Sequence, residues 1–137
     1  MGSRHLAFRK TMADKKVVFI AFAIEDESQR NLMKGQSLNT RTSFEYIDMS
    51  VKEAYDSDWE TKVLTRIRRS DGVILLISRN SVSSSGQKKE FQMAKAEGKR
   101  ILALRAYNGD TTVPAFLGTT PVVAWTWETI ARFIDSL

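Results

Sequence analysis

The stretch from residue 70 to residue 90, SDGVILLISRNSVSSSGQKKE, constrains the fold more than any other part of the chain. It begins with an unbroken apolar run, residues 73–77, which is typical of a strand buried on both faces. A polar loop follows, and Ser84 with Gln87 three residues later predicts a helix that starts with a capping box. Ligands bind beyond the carboxyl ends of parallel strands, so this loop and helix start form a candidate site, with Glu90 early on the helix.

Four further segments predict the other strands, because each is short and either apolar or alternating. The segment 42–48 alternates, as expected of an edge strand with one wetter face. With the run already described, the predicted strands are residues 17–21, 42–48, 73–77, 100–105 and 122–124.

Helices are predicted between these strands, where a capping residue precedes an apolar stripe. The terminal helix has the clearest stripe, since Ile130, Phe133, Ile134 and Leu137 fall at i, i+3, i+4 and i+7 after a cap at Thr126. The other predicted helices begin after Asp26, Ser57 and Ser84, and they end near residue 37, at Arg69 and at Gly98.

Strands that alternate with helices predict a parallel sheet with helices on both faces, because each crossover is right-handed and covers the sheet. We expect an α/β, flavodoxin-like three-layer sandwich whose five-stranded parallel sheet has the order 2-1-3-4-5. Residues 15–137 are expected to form this single domain. Residues 1–14 have no apolar period and are expected to be a flexible basic tail or sequence added for expression.

The composition excludes several classes of function. The chain has no cysteine, so disulfides and thiolate metal sites are excluded, and no metal is expected. No apolar run is long enough to cross a bilayer, so we expect a cytoplasmic protein without a membrane partner. Of the net charge of +5, +4 lies in residues 1–16, so the body of the chain has no basic stripe for nucleic acid. The lone His5 lies in the same tail and is not expected to take part in catalysis.

Three functions compete for a flavodoxin-like chain, since the fold alone does not decide among them. A flavin-binding protein needs a phosphate cradle after the first strand, but Glu25 and Asp26 lie there and would repel a phosphate. A phosphoacceptor receiver needs an aspartate at the end of the third strand, where this chain has Ser78. The third function comes from a resemblance to a known family.

An ordered set of short segments between residues 17 and 105 carries this resemblance. They are VFIAF at 18–22, IDMS at 47–50, DSDW at 56–59, SDGVILLIS at 70–78, and then Ser85, Glu90, Ala94, Gly98, Lys99 and Ile101. Together they resemble a bacterial TIR-like domain of the type found in Thoeris antiviral defence systems.

The resemblance implies cleavage of NAD⁺ by a glutamate on the helix after the third strand, and the matching position is Glu90. Nicotinamide leaves NAD⁺ without a general acid, so the barrier is the positive charge that develops on the ribose. One carboxylate stabilises such an oxocarbenium-like transition state through its charge and through hydrogen bonds to ribose hydroxyls. The alternative for Glu90 is an ordinary acid on the helix surface near an N-terminus.

The resemblance also implies partners. NAD⁺ is expected as a substrate, with no other cofactor, and TIR–TIR self-association is expected on activation. A cyclic or conjugated ADP-ribose product is expected to activate a separate effector protein in antiphage defence. The alternative is a non-catalytic adaptor that acts by protein–protein association through exposed loops, such as residues 49–56.

The NAD⁺-binding residues are expected at strand ends, loops and helix starts. They are Phe22, Ala23, Asp48, Ser50, Trp59, Ser78, Asn80 and Ser85. Core packing is the alternative for the two aromatic residues, and turn formation is the alternative for several of the polar ones. Many catalytic TIR domains have a tryptophan four residues before the glutamate, and here that position is Gly86. The aromatic role is then expected to pass to Phe91 or to another chain.

Overall fold

A parallel β-sheet forms the centre of the computed structural model, which describes residues 16–36, 45–48 and 58–137. Its strands are β1 (Val17–Phe22), β2 (Glu45–Asp48), β3 (Gly72–Ile77), β4 (Arg100–Arg105) and β5 (Val122–Val123). Their spatial order is β2-β1-β3-β4-β5, as predicted, and all neighbours are parallel. β5 pairs only through its two residues, so four strands form the body of the sheet and the predicted fifth strand is a short edge.

Helices cover both faces of this sheet, which confirms the predicted α/β class. They are α1 (Glu27–Gln36), α2 (Trp59–Arg69), α3 (Ser85–Ala96) and α4 (Trp127–Asp135). α1 and α4 pack on one face through Met33, Ile130 and Ile134. α2 and α3 pack on the other face through residues such as Val63 and Ala94. We refer to these as the α1/α4 face and the α2/α3 face.

β3 lies at the centre of the sheet, and every one of its residues is buried. Its side chains alternate, so that Val73, Leu75 and Ile77 face α2 and α3 while Ile74 and Leu76 face α1 and α4. Full burial of such a side chain contributes about 1.5–3 kcal/mol. The unbroken apolar run therefore reflects burial on both faces, as the sequence indicated.

Three predicted helix boundaries are confirmed by capping bonds or backbone geometry. The Ser84 hydroxyl accepts a hydrogen bond from the Gln87 N–H, and the Thr126 hydroxyl accepts one from the Thr129 N–H, both at 3.1 Å. Gly98 follows α3 with a φ of +70°, a left-handed conformation that glycine adopts without strain.

One predicted N-terminus and one predicted cap differ from the observed ones, although α1 begins directly after Asp26, as predicted. α2 begins after Asp58, whose side chain makes no capping bond, and Ser57 lies outside the described residues. Asp26 does not cap α1. It ends the 3₁₀ turn Ile24–Asp26, and its carboxyl bonds to side chains from the loops after β3 and β4. The reason is that this carboxyl is fully buried, and a buried carboxyl needs close hydrogen-bond donors, which those loops supply.

Some segments for which the sequence makes predictions lie outside the described residues. The predicted tail, residues 1–14, is among them, as are residues 42–44 at the start of the predicted second strand. The division of the chain into tail and domain stays a prediction. Of the helices that the structure describes, none is long and apolar enough to span a bilayer.

Candidate functional site

The buried carboxyl group of Asp26 joins three loops at the carboxyl edge of the sheet. Its oxygens accept hydrogen bonds from the Ser78 hydroxyl (2.6 Å), the Asn80 side-chain amide (2.8 Å) and the Tyr107 hydroxyl (2.9 Å). Ser78 and Asn80 follow β3, whereas Tyr107 follows β4. These donors are all neutral, so hydrogen bonds rather than an ion pair hold the carboxyl. The loops after β1, β3 and β4 are therefore fixed relative to one another.

Ser78 also holds the start of its own loop. Its hydroxyl accepts a hydrogen bond from the Asn80 N–H, and its N–H donates to the Ser81 hydroxyl, both at 3.0 Å. This reciprocal pair caps the 3₁₀ turn Arg79–Ser83. The Ser78 side chain is fully buried, and its hydroxyl is used within the fold.

Tyr107 keeps its proton at neutral pH. Burial, followed by the hydrogen bond to Asp26 and the charge of Asp26, raises the pKa of Tyr107 above its ordinary value of 10. Ser28 and the positive charge of Arg79 act in the opposite direction but do not cancel this rise. The phenol therefore remains a hydrogen-bond donor to Asp26.

A polar cleft of about 610 Å³ opens beside this network. Its volume falls in the range of small-molecule sites. Both of its walls come from loops, one after β3 and one after β4. The lining residues are Arg79, Asn80, Tyr107, Gly109, Asp110, Thr111 and Thr112. Because Asn80 of the first wall and Tyr107 of the second are both bonded to Asp26, the two walls are held in a defined relative position.

Asp110 sets the shape of the wall that follows β4. Its carboxylate accepts hydrogen bonds from the Arg79 N–H (2.9 Å) and the Thr112 N–H (3.0 Å), and its backbone carbonyl accepts one from Arg105 Nε (3.0 Å). Hydrogen bonds from the Thr112 hydroxyl and N–H, followed by the N–H and charge of Arg79, hold the pKa of Asp110 below its ordinary value of 3.8. Burial opposes this shift without reversing it, so this wall is negatively charged at neutral pH.

A second buried carboxyl group, that of Glu90, lies on the α2/α3 face. Glu90 is 3% exposed, and it shares the buried side of α3 with Gln87, Phe91 and Ala94. It is therefore not the surface acid that was the alternative for this position. Burial of a carboxyl group costs free energy that burial of an apolar side chain would not cost, unless close donors or charges offset it.

The indole ring of Trp59 packs against α3 one turn before Glu90. A Cβ atom at Gly86 would lie 3.7 Å from Cζ2 of Trp59, within ordinary van der Waals contact. Residues 86 and 90 share one side of α3 because they are four apart. Lys89 Nζ lies 6.0 Å from the centre of the Trp59 ring and pairs with Glu60 of α2 at 2.6 Å.

Two buried polar atoms in this region, Trp59 Nε1 and Gln87 Oε1, have no hydrogen-bond partner in the described part of the chain. Gln87 Nε2 is occupied, because it donates to the backbone carbonyls of Ala21 (3.1 Å) and Leu76 (2.8 Å) at the ends of β1 and β3. An unsatisfied buried polar group costs about 1–3 kcal/mol. Such groups are typical of places where a water molecule or a ligand completes the bonding.

Comparison with known proteins places this geometry in a family. A sequence-family model described as the TIR domain matches residues 18–135. The chain belongs to the TIR domain family. It is similar to the solved TIR domain of the Toll-related receptor TRR-2 from Hydra magnipapillata, with a TM-score of 0.67 and 17% identity, over 86% of this chain and 97% of that one. No curated protein matches the chain.

The aromatic residues predicted to bind NAD⁺ lie on opposite faces of the sheet in this TIR domain. Trp59 begins α2 and lies on the α2/α3 face, as does Glu90. Phe22 ends β1 and packs in the core of the α1/α4 face, where the Arg30 guanidinium lies 5.4 Å from its ring centre. Both rings are at most 5% exposed. Their contact with NAD⁺ stays a prediction.

The other predicted contact residues are spread along the carboxyl edge of the sheet. Ser78 and Asn80 belong to the Asp26 network, Ala23 is fully buried before the first 3₁₀ turn, and Ser85 is exposed at the start of α3. Asp48 ends β2, its side chain lies outside the described part, and Ser50 lies outside the described residues altogether. The structure thus brings Ser78 together with Asn80 at Asp26, whereas Glu90 lies on the buried side of α3.

Sequence reasoning missed the partners of Asp26 and the cleft of this TIR domain. The donors to Asp26 lie 52, 54 and 81 residues away from it in the chain. Tyr107 and Asp110 follow β4 without any motif, and the sequence around them predicts only a turn at Gly109. A pattern that spans a few residues carries no sign of such pairing.

Proposed function

We propose that this TIR domain cleaves the bond between nicotinamide and ribose in NAD⁺, with Glu90 as the catalytic residue. The observation that carries the proposal is the burial of this acidic side chain, 3% exposed on a helix side otherwise used for packing. Proteins keep buried carboxyl groups chiefly where structure or chemistry uses them. Membership of the TIR family supports the proposal, because that family includes enzymes that cleave NAD⁺.

The proposed chemistry relies on the charge of Glu90. As the bond from ribose C1′ to nicotinamide breaks, both of its electrons go to the pyridine nitrogen, and positive charge develops on C1′ and the ring oxygen. A carboxylate beside the ribose stabilises that charge, and hydrogen bonds from the ribose hydroxyls hold the sugar. A nucleophile then bonds to C1′ and loses its proton. Water yields linear ADP-ribose, whereas a nucleophile from the same molecule yields a cyclic product.

Trp59 is the proposed aromatic contact for nicotinamide. Its ring lies against Gly86, the position at which many catalytic TIR domains have a tryptophan. The other candidate, Phe91, pairs with Phe116 in the core, with ring centroids 5.6 Å apart. An aromatic ring from α2 can therefore take the place of the ring that α3 lacks, without help from another chain.

The proposal extends to the product and its use. We propose a cyclic or conjugated ADP-ribose that activates a separate effector protein in antiphage defence, as the resemblance to Thoeris TIR domains over residues 17–105 implies. NAD⁺ is then a substrate, no metal takes part, and self-association accompanies activation.

One observation favours an adaptor as a second candidate function. Three large apolar side chains are exposed in the loops after β1, β3 and β4, namely Ile24 (43%), Val82 (64%) and Val113 (61%). These loops share the carboxyl edge of the sheet, and apolar residues on one edge can bind a protein partner. An adaptor of this kind requires no turnover.

The experiment that tests the enzyme is nicotinamide release from NAD⁺, followed by chromatography of the products. We expect Glu90→Gln to keep the fold and to lower the rate about a hundredfold or more, because the substitution removes the charge and little volume. Glu128→Gln, at an exposed position in the first turn of α4, is the matched control and should leave the rate unchanged. A folded Glu90→Gln protein with the wild-type rate would overturn the mechanism.

A further inference from the structure

The cleft between Arg79 and Asp110 has no part in the chemistry proposed for Glu90. We propose that it binds the ribose phosphate unit of a nucleotide, with Asp110 accepting a hydrogen bond from a ribose hydroxyl and Arg79 pairing with the phosphate. The proposal goes beyond NAD⁺ cleavage, because binding here requires no turnover.

The cleft has a fixed shape. Its volume of about 610 Å³ suits a small molecule. Both walls are tied to the fully buried Asp26, the wall after β3 through Asn80 and the wall after β4 through Tyr107. Asp110 joins them again by accepting a hydrogen bond from the Arg79 N–H. Binding to such a cleft requires little ordering of the loops, so the entropic cost of binding is small.

The wall of the cleft that follows β4 carries the negative charge of Asp110. Each oxygen of Asp110 already accepts one backbone N–H, from Arg79 or from Thr112. The Thr112 hydroxyl donates to this carboxylate as well. A carboxylate has about four acceptor positions, so about one remains for another donor. A carboxylate held in place by backbone bonds is the group that recognises ribose hydroxyls in other nucleotide sites. Gly109, with a φ of +91°, adds no side chain beside it.

Arg79 brings a positive charge to the lining of the cleft. Its side chain is exposed, and within the described part of the chain its guanidinium makes no ion pair. Arg79 lines the cleft together with Tyr107 and Asp110. Its positive charge favours the ionised form of both groups, although the pKa of Tyr107 is raised overall. A guanidinium binds phosphate oxygens through two parallel hydrogen bonds. One anionic and one cationic group thus match a sugar diol and a phosphate.

Two sources can supply this ligand chemistry. The cleft either holds the adenosine half of an NAD⁺ molecule or holds a separate nucleotide, such as a product or a regulator. The two share the ribose phosphate, and the competition experiment below separates them.

The probe is adenosine 5′-monophosphate, titrated into the full chain with Glu90→Gln so that no turnover interferes. We expect saturable changes of amide NMR signals at residues 79–80 and 107–112. Adenosine and 2′,3′-dideoxyadenosine 5′-monophosphate are the ligand controls, since one lacks the phosphate and the other lacks the diol. Each is expected to bind about tenfold or more weakly than the full nucleotide.

Two variants assign the contacts. Arg79→Gln should weaken binding of the nucleotide about tenfold, whereas Arg100→Gln, at the opposite edge of the sheet, should leave the affinity within twofold. Asp110→Asn should bind the nucleotide and its dideoxy analogue equally well. A melting curve of each variant shows whether the loop and the fold survive, because Asp110 also holds two backbone groups.

The proposal is overturned if the nucleotide leaves these signals unchanged at millimolar concentration, or if Arg79→Gln and Arg100→Gln bind it equally. NAD⁺ that displaces the nucleotide from the Glu90→Gln protein would support the substrate as the source. Simultaneous binding of both would support a separate nucleotide. A loss of nicotinamide release with Glu90→Gln tests the enzyme alone, so the two proposals can fail independently.

Discussion

Neutral hydrogen-bond donors from three side chains hold the buried carboxyl group of Asp26. The Ser78 hydroxyl, the Asn80 amide and the Tyr107 hydroxyl divide its two oxygens among them. Such a network is stable only when every member is satisfied, because a buried polar group that loses a partner retains the cost of its desolvation. Single substitutions here should therefore have effects larger than those of surface positions.

Tyr107→Phe should lower the free energy of unfolding by about 1–3 kcal/mol, because it removes one donor from a buried carboxyl and keeps the ring. Urea denaturation at pH 7 measures the change. Asp26→Asn and the double variant complete a thermodynamic cycle, whose coupling free energy should be about 0.5–3 kcal/mol. Additive effects of the two substitutions would contradict the bond between these side chains.

The same pair predicts a pH dependence. The pKa of Tyr107 is raised in the folded state, so its contribution to stability is fully present below the ordinary value of 10 and is lost as the pH rises through the folded pKa. The stability difference between wild type and Tyr107→Phe should therefore shrink above pH 10. A difference that stays constant up to pH 12 would show that Tyr107 does not titrate in this environment.

At the scale of the elements, α3 carries Glu90 and contacts Trp59 of α2, the two residues of the proposed chemistry. Its start is fixed by the Ser84 cap, and Gln87 ties it to the ends of β1 and β3. Glu90 then lies on the buried side, and Gly86 leaves room on the side that meets Trp59. A helix fixed at both its start and its side can hold a carboxyl group in one orientation, which catalysis requires.

Gly86→Ala should stabilise the chain by up to about 1 kcal/mol, because alanine is favoured over glycine in helices and its Cβ would lie 3.7 Å from Trp59, without a clash. Thermal unfolding measures the change. Gly98→Ala is the control within the same region, since Gly98 has a φ of +70°, and alanine there should destabilise the chain by about 1 kcal/mol. A loss of stability with Gly86→Ala would show that Trp59 lies closer to α3 than described.

At the scale of the whole molecule, the sheet separates the two candidate sites. Alternation along β1 sends Ala21 toward the α2/α3 face and Phe22 toward the α1/α4 face. Tyr107 packs on the α1/α4 face, while Glu90 belongs to a helix on the other. The carboxyl edge of the sheet lies between them, so a ligand that uses both must cross that edge.

Deletion of residues 1–13 should leave the melting temperature nearly unchanged, because these residues have no periodic apolar face. The first strand is already anchored without them, since the Val17 N–H donates to the Asp71 carboxylate at 2.8 Å. Deletion through Val18, which is fully buried, is the matched control and should unfold the domain. A fall of many degrees with the shorter deletion would show that the tail packs on the domain.

The sequence by itself determined the strands, the helices and their order. The run at residues 73–77 identifies the central strand because burial on both faces excludes polar side chains over its length. Caps such as Ser84 and Thr126 act through bonds to residues three positions away, so local sequence contains all the information they need. Short loops and right-handed crossovers then leave few ways to order the strands.

Only the tertiary structure decided which polar side chains meet. The sequence around Asp26 predicts a helix cap. The hydrogen-bond donors to its carboxyl group come instead from distant loops that the sheet brings to one edge. In the same way, Trp59 and Gly86 meet because α2 and α3 pack side by side, and no spacing in the chain encodes that contact. Apolar periodicity is a local property, so it can be read from the sequence. The pairing of polar side chains depends on distances between loops that exist only once the sheet has formed.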